Sequence, residues 1–415
     1  MAARVHVIGA GLAGLAAAVR LTADGVSVIV HEAAGHAGGR CRSFRDEALG
    51  ADIDNGNHLV LSGNHAALDY LDLIGARDSL SGPAVAEFPF LDLETGSRWS
   101  VKPDAGAIPW SVLRGGGRVP GTSLGEYLGG WRIIGAGPEK TVGQCLDTDG
   151  PLWRRFWAPL IVSIMNTEPA QSSAALMWRV LKETFGEGAA ACRPLIAVEG
   201  LSPSFVDPAV QYLEALGGDI RFGRRLRSMT FADDRVAALE FTDGAVALGA
   251  EDHVISAVPA PVAAGLIPDI SAPDRFSAIV NGHFRLSGAP PDQPFLGILG
   301  GTAEWLFVRG DIVSVTVSAA DALAERSSAD IAEAMWDDIV RAFDRPGTPL
   351  GAHRIVKEKR ATFVQTPDQV KRRPPCRTRW RNLYLAGDWT DTGLPATIEG
   401  TIRSGFRAAA SLKTA

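Results

Sequence analysis

The chain has 415 residues, 46% of them apolar, and a formal net charge of -6. That is enough for a large core and more than one average domain, and the absence of a basic stripe argues against a nucleic-acid binder. Cys41, Cys145, Cys192 and Cys376 are scattered without a C-x-x-C pair, which argues against a zinc site or a disulfide framework and suits a reducing compartment. No secretory leader is read at the start, and no run of about 18 apolar residues could span a bilayer. The expected location is cytoplasmic.

In chain order, Val5 to Ile8 is a short β run, Leu12 to Ala23 a helix ended by Gly25, and Val26 to Val30 a second β run. This is a βαβ unit. Residues 31–63 are turn-rich, and His65 to Leu73 is a short amphipathic helix. Residues 80–135 read as loops and short strands. Leu152 to Val162, Ser172 to Phe185 and Ser202 to Leu216 read as helices, the last ended by Gly217-Gly218. From Asp219 to Val258 apolar and polar residues alternate, with turns at Asp233-Asp234 and Asp243-Gly244, which predicts a three-stranded meander and then a buried strand, Val254 to Val258. Residues 278–318 are β-rich, and Ala329 to Phe343 is an amphipathic helix. Asn382 to Ala386 is a last strand and Gly400 to Leu412 a last helix. The expected fold is α/β: a discontinuous Rossmann-like domain from residues 1–75, 201–264 and 356–415, with a mixed α+β substrate domain from 76–200 and 265–355.

Gly9-Ala10-Gly11-Leu12-Ala13-Gly14 follows a strand and opens a helix. Gly9 permits the turn, Gly11 and the helix start at Ala13 admit a pyrophosphate, and Gly14 lets helix and strand pack closely. Glu32 ends the second β run, where a dinucleotide's ribose hydroxyls would lie. Gly38-Gly39-Arg40 follows, offering further amides and a fixed positive charge. Near the other end, Ala386-Gly387-Asp388-Trp389-Thr390 leads through Gly393-Leu394-Pro395-Ala396 to Thr397-Ile398 at the start of the last helix. Asp388 could bond a ribityl chain. The positive end of the helix at Thr397 and Ile398 would favour an anionic flavin edge.

These three motifs together resemble the flavoprotein superfamily of amine oxidases and carotenoid desaturases. The resemblance implies noncovalent FAD and an adenine contact from the meander near Leu226. A likeness across nearly the whole chain is carried by Asp54-Asn55-Gly56-Asn57-His58, Phe156-Trp157-Ala158-Pro159-Leu160, Asn166-Thr167, Gly297-Ile298-Leu299-Gly300-Gly301, Glu304-Trp305-Leu306-Phe307 and Thr392 to Gly400. It is to the hydroxysqualene dehydroxylases of bacterial hopanoid synthesis. Asn57 stands where that pattern has Gln, and Asp391 where it has a small residue.

That resemblance implies transfer of hydride from reduced flavin to an allylic carbon of a C-30 isoprenoid, with loss of its hydroxyl to give squalene. Gly56 and Asn57 would lie beside the flavin. His58, following that turn, is the candidate acid, although a lone histidine is more often structural. A carotenoid-type desaturase and a flavin-binding scaffold without chemistry are the competing classes. Trp153, Phe156, Trp157, Trp178, Trp305 and Phe307 suit a long apolar tunnel. With no second glycine fingerprint, the electron donor is expected to be transient NAD(P)H or a partner reductase. Residues 99–134 interleave Trp99, Trp110 and Trp131 with Lys102, Arg114, Arg118 and Arg132, a pattern suited to peripheral contact with the inner face of a membrane.

Overall fold

The computed structural model describes residues 4–288 and 293–413. Strand β1 (Arg4–Ile8), helix α1 (Leu12–Ala23) and strand β2 (Ser27–His31) form the N-terminal unit. Strands β3 (Asp219–Arg221), β4 (His253–Ser256) and β5 (Leu383–Leu385) complete a parallel five-stranded sheet in the order β3-β2-β1-β4-β5. Val7 of β1 stands between Val30 and Ile255, so partners from three distant parts of the chain meet in its centre. The mostly apolar, buried character of β1, β2, β4 and β5 is what a sheet covered on both faces requires, while the edge strand β3 is polar.

Helix α1 is nearly all small and aliphatic, and ten of its residues are buried. Helix α2 (Ile398–Leu412) lies across it. The crossing depends on Gly405, where an added Cβ would sit 2.3 Å from the Ala13 carbonyl oxygen. The last helix is thereby clamped onto the first, and the two ends of the chain share one core.

The meander forms from Leu226–Ala232, Arg235–Phe241 and Gly244–Ala247, with Asp233 and Gly244 taking positive φ at its turns. Asp219 does not belong to it, contrary to expectation. The short segment Asp219–Arg221 is the edge of the parallel sheet, paired with β2.

A seven-stranded sheet makes the second layer, in the order 353–363, 276–285, 312–317, 305–309, 295–299, 88–92, 98–101. Its two faces differ. Val280, Phe284, Leu306, Val313 and Val315 pack with Ile331, Met335 and Ile339 of the helix Ser328–Ala342. The opposite face carries Phe90, Phe295, Trp305 and Phe307, packed with Leu59 and Ile196. The expected boundary at residue 356 cuts through the strand His353–Phe363, whose register partners all lie in this larger sheet. As an edge strand it carries Lys357, Glu358, Lys359 and Arg360, the charges such strands use against further pairing; these hide its period. Among the described residues no helix is long and apolar enough to cross a membrane.

Candidate active site

The glycine turn after β1 takes its shape from close contacts. Gly9 has φ +103°, and a Cβ there would lie 2.9 Å from the Ala257 carbonyl oxygen. At Gly14 a Cβ would lie 1.9 Å from the Gly9 carbonyl oxygen, so any side chain would force helix and turn apart. Gly11 differs: nothing stands within 4 Å of its missing Cβ. Its open side is where a ligand backbone could approach the amides at the head of α1.

The second glycine turn touches the first. The Gly38 amide donates to the Ala10 carbonyl (2.8 Å), and a Cβ on Gly39, at φ +60°, would be 3.4 Å from the Gly11 Cα. Glu32 links them: Oε2 accepts from the Ala10 amide and Oε1 from the Ala34 amide, both at 2.7 Å. Each oxygen keeps a lone pair for a ligand hydroxyl. Leu226 opens the meander and is buried in the same apolar cluster as Ile8, at the end of β1.

The C-terminal motif meets this turn directly. Arg40 donates to Asp388 Oδ1 (2.8 Å) and to the Ala361 carbonyl. Asp388 is buried while Arg40 remains 44% exposed, so the guanidinium keeps an open side. Gly387, at φ +144°, donates to Ser404 Oγ (2.8 Å), which fixes the loop on α2. Thr397 caps that helix by accepting from the Gly400 amide (3.1 Å). Thr397 and Ile398 are part-exposed, so the positive end of a 15-residue helix faces open space. Asp391 accepts from the Gly393 amide (3.1 Å), a local turn bond.

The turn at residues 54–58 sits between the two layers. Asp54 is a structural hub, accepting from Ser43 Oγ and the Leu201 amide and pairing with Arg309 (3.0 Å). A polar chain pins the next residues to the aromatic face of the large sheet. Asn57 Nδ2 donates to Thr316 Oγ1 (3.0 Å), which donates to Asn281 Oδ1 (2.8 Å), and Asn281 Nδ2 donates to the Asn55 carbonyl (3.1 Å). Gly56 fits closely there: a Cβ would approach Asn281 Nδ2 to 3.3 Å, so a side chain would have to displace the Asn281 amide slightly. His58 is solvent-exposed, on a turn that protein surrounds closely. Burial lowers its pKa below the usual 6.5, with Asp54 opposing that shift and the Arg40 charge adding to it. The geometry thus brings Gly9 to Gly14, Glu32, Gly39, Arg40 and Asp388 into one region, and His58 lies close enough to feel the Arg40 charge.

The expected aromatic tunnel divides in two. Trp305 and Phe307 lie on the sheet face beside Leu59. Trp153, Trp157 and Trp178 pack instead against the helices Ala158–Met165 and Ala174–Glu183, with Phe156 edge-on to Trp157 and Phe185.

Two residues outside the quoted motifs, Arg373 and Gln365, support the site, and Glu304, which one of those motifs contains, is a part-buried acid. Arg373 is buried and its guanidinium donates to the carbonyls of Asp388, Thr390 and Leu394 and to Thr392 Oγ1. In sequence it is hidden in Lys-Arg-Arg-Pro-Pro, which looks like a solvated turn. Gln365 joins the loop before α2 to the Asn166-Thr167 turn: Oε1 accepts from the Ala396 amide (2.9 Å) and Nε2 donates to the Met165 carbonyl (2.6 Å). Glu304 accepts from the Ser318 amide (2.8 Å), and burial pushes its pKa up to about 7. An acid whose pKa is raised by folding favours the folded state at low pH, and that advantage is lost as pH rises from about 4.5 through about 7. Glu304→Gln keeps the acceptor and removes the titration. It should stabilise the protein at pH 8 by on the order of 1–3 kcal/mol and leave pH 4.5 nearly unaffected. Denaturant titrations at the two pH values check this; equal effects at both would deny the buried charge.

Residues 12–413 match the family described as flavin containing amine oxidoreductase. The chain is 48% identical to a hydroxysqualene dehydroxylase of Rhodopseudomonas palustris, over 99% of this chain and 98% of that protein. It is 23% identical to a 15-cis-phytoene desaturase of an Oncidium hybrid cultivar, over 97% of this chain and 76% of that protein. Cyclohexylamine oxidase from Brevibacterium oxydans shares the fold, with a TM-score of 0.73 at 16% identity over 100% of this chain and 99% of that one. The chain belongs to the flavin containing amine oxidoreductases and, within them, to the hydroxysqualene dehydroxylase family.

Proposed function

We propose that this protein removes the allylic hydroxyl of hydroxysqualene reductively, giving squalene. The observation that carries this reading is the 48% identity, end to end, with a protein of that activity; the resemblance to a phytoene desaturase is far weaker at 23%. In the overall change a C–O bond breaks, a C–H bond forms and water leaves, with uptake of two electrons and two protons. FAD, when bound and reduced, supplies the electrons.

The residues present fit FAD. The open side of Gly11 and the adjoining Gly39 leave room for a pyrophosphate, and the exposed side of Arg40 gives it a cation. Glu32 would accept from the ribose, the backbone near Leu226 would meet adenine, and Asp388 would bond the ribityl chain. Thr397 and Ile398 would present the helix end to the flavin ring, beside Gly56 and Asn57. The sheet face of Trp305 and Phe307 supports an apolar substrate site, where exclusion of water protects a carbon that is losing oxygen. His58 is the candidate proton donor to the departing hydroxyl. The electrons arrive from a visiting NAD(P)H or a reductase, and a C-30 substrate and product imply exchange with a bilayer at the cytoplasmic side.

The test is product analysis after mixing anaerobically reduced protein with hydroxysqualene. Squalene should appear in step with flavin reoxidation. Turnover of phytoene instead, or squalene without reoxidation, would discard the proposal. Glu32→Ala should weaken FAD binding by about 1–3 kcal/mol, through lost bonds to both the ligand and the glycine turn. An unchanged affinity in a titration of stripped protein with FAD would remove Glu32 from the site.

A further inference from the structure

Among the described residues eleven large apolar side chains are exposed, and six of them fall between residues 108 and 134. They are Ile108, Trp110, Leu113, Leu128, Trp131 and Ile134, with Trp131 the most exposed at 62%. This is an ordered surface. The connection between the helices Trp110–Arg114 and Leu124–Gly129 is tied to the second by the Val119 amide donating to Tyr127 Oη (2.7 Å) and to the first by Arg118 donating to the Val112 carbonyl (2.9 Å). Beneath them Ile133 is 1% exposed, and Gly130 abuts Trp157 so closely that a Cβ would come within 2.9 Å of its ring.

The charges on this segment have one dominant sign. Between residues 105 and 138 the only charged residues are Arg114, Arg118, Arg132 and Glu126. Glu126 is committed to the amides of Ser123 (2.7 Å) and Leu152 (3.1 Å), and Arg118 to the Val112 carbonyl (2.9 Å). Arg114 and Arg132 are exposed and make no ion pair among the described residues. A positive, Trp-bearing surface on a chain of net charge -6 is complementary to anionic headgroups over acyl chains.

We infer that residues 108–134 form a docking surface for an anionic lipid bilayer. The purpose of the surface rests on the proposed isoprenoid reaction; its existence does not. A second copy of the chain is the weaker occupant, because a two-fold interface would set the same basic patch against itself. The surface is narrower than the sequence pattern suggested. Trp99 stacks on Phe90 at 5.6 Å with Arg155 over its ring and is taken up by the sheet, and Lys102, although exposed, is paired with Glu87. Arg118 holds the segment together rather than facing outward.

The test is sedimentation of the FAD-loaded protein with vesicles of phosphatidylglycerol and phosphatidylcholine, and with vesicles of phosphatidylcholine alone. The parent should sediment with the anionic vesicles, less so as salt rises, and brominated acyl chains should quench its Trp emission. Trp110→Ser combined with Trp131→Ser should lower the vesicle-bound fraction roughly 10-fold and remove most of the quenching. Arg114→Gln with Arg132→Gln, a pair that spares the apolar contacts, should abolish the preference for anionic vesicles. Flavin content and turnover of detergent-dispersed substrate should be unchanged in both. A parent that stays in the supernatant overturns the inference, as does either variant behaving like the parent. A parent dimer that the Trp variant dissolves, with vesicle binding unaltered, overturns it in favour of a self-interface. Vesicle binding without any turnover of hydroxysqualene would count against the proposed reaction and leave the surface standing.

Discussion

Arg373→Met should leave a protein that binds little flavin and is less stable by on the order of 3 kcal/mol, because buried acceptors lose their donor. Arg373 is 6% exposed and has no carboxylate in salt-bridge contact among the described residues. Its charge is dispersed over three carbonyls and a hydroxyl, all in the loop from Asp388 to Leu394. Burial pulls its pKa down to about 10, so it stays protonated at neutral pH. Methionine fills a similar volume but cannot donate, and would leave those buried acceptors unpaired. The loop it organises carries Asp388, which in turn meets Arg40 of the N-terminal half. Lysine at this position keeps the charge and loses the fork, so Arg373→Lys should fall between parent and Met variant. Thermal denaturation of the flavin-free proteins separates stability from cofactor binding, and the ratio of flavin to protein absorbance reads the latter. Full flavin content together with a parental melting curve would show that the loop holds its shape without Arg373.

Of the fold and site, the parts legible in sequence were those in which a short segment specifies its own backbone. Gly9, Gly39 and Gly387 take positive φ, Gly14 permits a close helix contact, and the spacing to Glu32 is fixed by one helix and one strand. The meander's turns were legible for the same reason, because Asp233 and Gly244 tolerate positive φ. What depends on distant partners was not visible. Asn281 and Thr316 look like ordinary polar residues on strands until register sets them side by side beneath Asn57. Gln365 and Arg373 acquire their roles from loops brought in by the rest of the fold. Trp99 reads as a surface residue in sequence because two alternate positions of a short edge strand, one facing the aromatic layer and one facing water, look alike in a Gly- and Trp-rich stretch.

The second large effect is expected at His58. No hydrogen bond among the described residues fixes its ring, and the turn that carries it is held rigidly by the Asn57, Thr316 and Asn281 chain. A ring that is free on a fixed backbone, solvent-exposed near Arg40, is placed to meet a ligand rather than to support the fold. His58→Ala should slow the chemical step by roughly 100-fold or more, with normal flavin content and a parental melting curve. The pH profile gives the sharper test. Burial lowers the pKa of His58, so the imidazolium is the minor form at pH 7. If that form delivers the proton, the parent's single-turnover rate should decline as pH rises through and above the lowered pKa. In the Ala variant the residual rate should be flat over the same range. Asn57→Ala, which unpins the turn but leaves the ring, should reduce the rate less and keep the parent's pH dependence. A variant at His58 that turns over within a few-fold of the parent, or one that retains the sloping pH profile, would place the proton donor elsewhere.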